Sequence, residues 1–102
     1  MWILQSSDAT FRLTPGAIKT VGRAPRADFN VDAALVSRLH CRLRATDDTL
    51  EVEDLESTNG TFVNDKRIEK ANLATGDRLR IGRVELRVEK TGIRDEGLGT
   101  GS

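Results

Sequence analysis

Between Asp77 and Glu89 the chain reads DRLRIGRVELRVE, and this stretch limits the possible folds more than any other. Leu79 and Ile81 alternate with Arg78 and Arg80, and Val84, Leu86 and Val88 alternate with Glu85, Arg87 and Glu89. A period of two marks a strand with one dry and one wet face. Gly82-Arg83, with glycine first, predicts a type II′ turn that closes the two runs into a hairpin. The alternation returns at 39–44, where Leu39, Cys41 and Leu43 share a side, and again at Leu50, Glu51, Val52 and Glu53. Thr46-Asp47-Asp48 supplies the turn between them, so a second hairpin is expected to pair 39–45 with 49–54. Shorter candidates lie at 2–5, 10–13, 17–21, 29–31, 61–63 and 67–68. About ten short strands with frequent turn residues predict an all-β sandwich or barrel. A helix over 33–45 competes, because Ala33-Ala34 and the spacing of Leu35, Leu39 and Leu43 favour one. Ser37-Arg38 interrupts it, and coil followed by strand is the expectation.

The 102 residues suffice for one domain. Leu, Ile, Val and Phe number 26, enough to build a core and too many for a disordered chain. Sixteen basic and sixteen acidic residues cancel, which removes the global positive field that nucleic-acid binding relies on. One cysteine and one histidine leave no internal disulfide, no Cys-rich zinc site and no His pair for a metal. Apolar runs of three or four residues are far too short to span a membrane. Residues 1–20 lack the basic-then-apolar pattern of a secretory signal. The expectation is a soluble cytoplasmic protein without metal or cofactor. Residues 91–102, with four glycines, read as a flexible tail or the start of a linker after a domain over 1–90.

Charge is uneven locally. Ala9 to Arg44 carries seven Lys/Arg against two Asp, and Asp47 to Glu56 carries six acids and no base. Two polar loops stand out: Val36-Ser37-Arg38-Leu39-His40 and Glu56-Ser57-Thr58-Asn59-Gly60-Thr61. The expected 39–45/49–54 hairpin brings them together, because the start of one antiparallel strand neighbours the end of the next. Ser37, Arg38, Thr58 and Asn59 would then converge, offering guanidinium, hydroxyl, amide and backbone N–H donors without a carboxylate placed as a base. A phosphate monoester, with three acceptor oxygens and nearly two charges, suits such donors. Arginine's planar fork adds paired, charge-assisted bonds.

The pattern as a whole resembles the forkhead-associated (FHA) domain, a phosphothreonine-peptide binding module. Gly22-Arg23, then Ser37-Arg38-Leu39-His40, then the run from Asp54 through Ser57-Thr58-Asn59-Gly60-Thr61 to Asn64 follow that family's GR…SxxH…STNGTxVN order. The later run from Leu73 to Gly82 is similar to its L..GD.I.IG element. The resemblance covers about residues 1–90 and implies an FHA-type β-sandwich of about eleven mostly antiparallel strands, with the ligand site in loops at one end. It implies that Arg23 pairs with the phosphate and Ser37 donates its hydroxyl to it. Arg38 would add a backbone or side-chain contact. Thr58 would shape the phosphate and methyl pocket, and Asn59 would hold the peptide backbone. Gly22 and Gly60 would set loop geometry, His40 would brace the Ser37 loop, and Asn64 would support the second loop. Leu35 and Val36 would help read the residue three places after phosphothreonine, favouring an aliphatic side chain. The implied partner is a phosphothreonine-containing protein or peptide made by an upstream Ser/Thr kinase, with no nucleic acid or membrane involved. Glu56 departs from the glycine common at its position, and Asn64-Asp65 replaces the commoner Asn-Gly turn.

Two rival readings remain to be weighed. A small phosphatase or nucleotide-binding enzyme would need a nucleophile, a general acid or a metal site. Asp47, Asp48, Glu51, Glu53 and Asp54 are the available acids, and their place on a turn and an alternating strand suits a solvated face. A His40-Cys41 dyad is disfavoured because neighbouring strand residues point to opposite faces. The other rival is a phospho-independent interaction module of the same fold, which the intact Arg23, Ser37 and Thr58 oppose.

Overall fold

The computed structural model describes residues 1–91. The expected tail at 91–102 lies almost wholly outside the described residues. Eleven strands form: β1 (Trp2–Gln5), β2 (Thr10–Leu13), β3 (Ile18–Gly22), β4 (Phe29–Asn30), β5 (Cys41–Ala45), β6 (Leu50–Asp54), β7 (Thr61–Val63), β8 (Lys66–Ile68), β9 (Lys70–Leu73), β10 (Arg78–Ile81) and β11 (Val84–Lys90). They make a six-stranded sheet, β2-β1-β11-β10-β7-β8, and a five-stranded sheet, β4-β3-β5-β6-β9. Ladders are antiparallel except the short β3–β4 pair, where Val21 faces Phe29 and Gly22 faces Asn30 in parallel.

The alternation in sequence becomes the division between core and surface. Leu79, Ile81, Leu86 and Val88 are fully buried. They meet Leu43, Leu50 and Val52 of the other sheet in one core, which also takes Trp2, Leu4 and Leu13. Trp2 anchors there by donating its indole N–H to the Thr46 carbonyl at 3.1 Å. Each buried leucine contributes on the order of 1.5–3 kcal/mol of hydrophobic stabilisation.

Turn chemistry fixes the registers. Gly82 has φ 59° and Arg83 is not among the left-handed residues, as a type II′ turn requires. Asn64 and Asp65 stand at φ 50° and 70°, which makes the β7–β8 connection a type I′ turn. Three details differ from expectation. The hairpin strand starts at Cys41 rather than Leu39, because Leu39 and His40 are drawn into loop contacts. Strand β3 runs one residue further along, to Gly22. Strand β9 was unforeseen, since Lys-Ala-Asn-Leu offers only Ala71 and Leu73 to the core, opposite Val52 and Leu50.

These pairings set which loops share an end. Val21 faces Cys41, Cys41 faces Asp54, and Ile81 faces Thr61. The end of β3, the start of β5, the end of β6, the start of β7 and the β10–β11 turn therefore cluster at one end of the sandwich.

Candidate functional site

Gly22 closes β3 because only hydrogen fits there. A Cβ at this position would stand 2.1 Å from the Arg38 carbonyl oxygen. The close approach brings the next residue against the Ser37 loop. The Arg23 N–H donates to the Ser37 carbonyl at 2.9 Å, and the Ala24 N–H donates to the Arg38 carbonyl at 3.0 Å. The Arg23 side chain is exposed, yet its Nε donates to the Val36 carbonyl at 3.1 Å. One edge of the guanidinium is thereby anchored, and its two terminal nitrogens are left for a ligand. Asn30 holds the following turn through its side-chain amide, donating to the Arg23 and Ala24 carbonyls.

Ser37 joins the two loops. Its hydroxyl oxygen accepts the Thr58 N–H at 2.9 Å, so its own proton remains available to an acceptor outside the protein. Asn59 crosses the same gap, donating its side-chain amide to the Leu35 carbonyl at 3.0 Å. The Thr58 side chain is exposed beside them. Arg23, Ser37, Thr58 and Asn59 are thus brought together. Arg38 shares with Arg23, Ala24, Pro25, Asn30 and Asp32 an open cleft of about 450 Å³ next to them.

Beneath the rim is a buried brace. His40 is fully buried; its Nδ1 accepts the Ser37 N–H at 3.0 Å and its Nε2 lies 2.8 Å from the Gly60 carbonyl. A ring whose Nδ1 accepts must carry its proton on Nε2, so Nε2 donates to Gly60. One imidazole therefore spans both loops. Gly60, at φ 91°, supplies the left-handed turn that aims this carbonyl inward.

Asp54 is a second brace, and the sequence reading missed it. One carboxylate oxygen accepts the Ser57 and Thr61 hydroxyls at 2.5 and 2.7 Å, and the other accepts the Ser57 N–H at 3.2 Å. The Ser57 hydroxyl oxygen in turn accepts the Gly60 N–H at 2.9 Å. Burial pushes the Asp54 carboxyl up, but the Ser57 and Thr61 hydrogen bonds, with His40 nearby, bring it below the usual aspartate range. The spacing Asp-x-x-Ser before a turn was the available signal.

Several expected roles change. Asn64 does not support the loop over 56–60. It sits at the far end of β7, where its side chain donates to Asp77 and accepts the Arg78 N–H, tying two turns of the opposite end together. Val36 is 3% exposed and packs in the core, so only its carbonyl serves the site; Leu35, 47% exposed, is the apolar side chain presented at the loop. Leu35 holds a left-handed φ of 72° against Gly82. The acids of 47–56 do not form one solvated face. Glu51 pairs with Lys70 and Glu53 with Arg42 on the outer surface, while Asp54 turns into the loop. Alternation also fails as the argument against a His40-Cys41 dyad, since His40 lies outside β5 and both residues are buried. The stronger argument is that both His40 ring nitrogens are engaged. Burial, helped by Asp54, also pushes the Cys41 thiol up to about 12.

Comparison with known proteins points the same way as the geometry. A family profile described as the FHA domain matches residues 19–82. An ABC transporter ATP-binding/permease protein of Mycobacterium tuberculosis is 41% identical over 86 residues, covering 84% of this chain and 10% of that protein. The glycogen accumulation regulator GarA of the same species is 40% identical over 70 residues, covering 69% of this chain and 43% of GarA. The chain therefore spans less than half the length of either relative. A solved FHA domain, from a study of phosphothreonine-dependent interactions, superposes with a TM-score of 0.84 at 34% identity, covering 90% of this chain and 98% of that one.

Proposed function

The chain belongs to the FHA domain family, a family of binding modules, and we propose that it captures phosphothreonine-containing segments of other proteins and performs no catalysis itself. The observation that carries this reading is the pairing of Arg23 and Ser37. The protein uses the Nε of one and the hydroxyl oxygen of the other to build the site, and leaves the terminal guanidinium nitrogens and the hydroxyl proton for an anion. Arg38 beside them adds charge, and Thr58 and Asn59 line the second wall. A dianionic phosphate ester matches this set better than a carboxylate, having an extra oxygen and nearly twice the charge. The ligand would come from a Ser/Thr protein kinase, the proposed location is the cytoplasm, and neither nucleic acid nor membrane is part of the reading. Leu35 would meet the residue three places after phosphothreonine and favour an aliphatic side chain; a peptide library dominated by aspartate there would contradict this.

The test is calorimetric titration with a phosphothreonine peptide and its unphosphorylated twin. Micromolar binding of the first corresponds to about 8 kcal/mol. Hydrogen bonds to charged groups contribute about 1.5–3 kcal/mol each, so Arg23→Ala should weaken it by about tenfold or more. Equal affinity for the two peptides would instead support a phospho-independent interaction module.

A further inference from the structure

The outward faces of the two sheets differ in charge. On the five-stranded sheet, opposite charges face each other across strands: Arg42 is opposite Glu53, Arg44 opposite Glu51, and Glu53 opposite Lys70. On the six-stranded sheet, Arg12, Arg67, Arg78, Arg80 and Arg87 stand on the outward register positions against Glu85 and Glu89. Arg78 and Arg87 face each other directly, a like-charge pair that weakens a sheet unless something neutralises it. Among the described residues only Arg78 of the five makes an ion pair, at 3.6 Å with Asp65 on the β7–β8 turn.

The row nearest the loops is the most organised. Arg80 lies over the Phe62 ring, 4.5 Å from its centroid, and Arg67 flanks Phe62 from β8. The Arg80 Nε is buried and has no acceptor among the described residues. Arg67 lies against the phosphate-end loop, its Nε 2.8 Å from where a Cβ on Gly60 would stand. The basic row thus begins at the candidate site and continues down the sheet.

We propose that the outward face of the six-stranded sheet is a second docking surface, and that its occupant is a carboxylate-rich polypeptide segment. Guanidinium forks pair with carboxylates in two-point hydrogen bonds, and the five cations here are all arginine. Nucleic acid fits less well. Phe62, covered by Arg80, offers no free face on which a base could stack. This surface is independent of the phosphate reading, because none of its arginines belongs to that site.

The experiment is an NMR titration of the full chain with unphosphorylated poly-glutamate, with polyglutamine and a single-stranded oligonucleotide of matched charge as controls. Poly-glutamate should shift the amides of Phe62, Arg80, Arg87 and Arg12, and added salt should reverse the shifts. Arg80→Gln and Arg87→Gln should each weaken binding about two- to fivefold, the range for exposed ion pairs. Arg87 is exposed, so its variant keeps the test valid should Arg80→Gln disturb Phe62. The proposal is overturned by no shifts, by shifts centred on Arg23, Ser37 and Thr58, or by tighter binding of the oligonucleotide.

Discussion

His40 and Ser37 are neighbours in the site with separable duties. Removing the His40 ring strips buried partners from the Ser37 N–H and the Gly60 carbonyl. Each unsatisfied buried group costs about 1–3 kcal/mol, and each kcal/mol lowers the melting temperature of a domain this size by about 4–8 °C. His40→Ala should therefore lower the melting temperature by at least about 10 °C and weaken phosphopeptide binding as well. Ser37→Ala frees only an exposed N–H on Thr58, so it should weaken binding with little change in melting. Unaltered melting of His40→Ala would show that the buried imidazole is not a brace. Glu56 is a different case, a non-glycine residue at φ 55° in the loop that carries Thr58 and Asn59. Left-handed geometry costs such a residue about 1–2 kcal/mol, and its carboxylate repels a dianion. Glu56→Gly should raise both stability and phosphopeptide affinity; a fall in affinity would mean that Glu56 contacts the ligand. Much of this constellation was legible in the sequence, because a hairpin with a short turn dictates which loops meet. The roles of Asp54, Val36 and Asn64 were not, since each depends on which way one side chain turns at the end of a strand.

The elements divide along similar lines. Where apolar and polar residues alternate strictly, as in β10 and β11, periodicity alone located the strands and their turn. Ala71 and Leu73 gave too weak a pattern for β9, whose existence rests on pairing with β6 rather than on its own composition. At 39–40 the alternation continued in sequence while the regular ladder began only at Cys41, because the His40 ring is committed to the Ser37 N–H and the Gly60 carbonyl of the loops. Tertiary hydrogen bonding overrode periodicity there, and it depends on the contact between β3 and the Ser37 loop. Gly22→Ala tests that contact. A Cβ 2.1 Å from the Arg38 oxygen cannot be accommodated without moving backbone. The expected outcome is a loss of melting temperature together with amide shifts from Ser37 to His40 and weaker phosphopeptide binding. Ordinary affinity in this variant would show that the Ser37 loop finds its geometry without support from β3.

At the scale of the whole domain, the shifted ionisable groups among the described residues define two limits of stability in pH. The Thr20 backbone N–H and hydroxyl hold Asp28 below its ordinary value, the hydrogen bond from Arg42 does the same for Glu53, and Asp54 is held low in its loop despite its burial. A carboxyl depressed in the folded state binds fewer protons there than in the unfolded chain. Its stabilisation is present above the ordinary values near about 4 and is lost as pH falls through the folded value. Salt screens the Arg42 charge from Glu53 but not the neutral hydrogen bonds to Asp28 and Asp54, so these two should carry the salt-resistant part of the acid loss. Asp54→Asn should reduce that part and lower stability at neutral pH. The alkaline limit has the opposite sign. Burial raises the Cys41 thiol to about 12, so from roughly pH 8.5 upward the unfolded chain loses this proton first and stability declines. Urea unfolding of the parent and Cys41→Ala between neutral pH and the onset of lysine titration should diverge steadily, the parent losing stability faster. Parallel curves would mean that the thiol ionises as readily in the folded domain as in the unfolded chain, and that burial between the two sheets does not hold its proton.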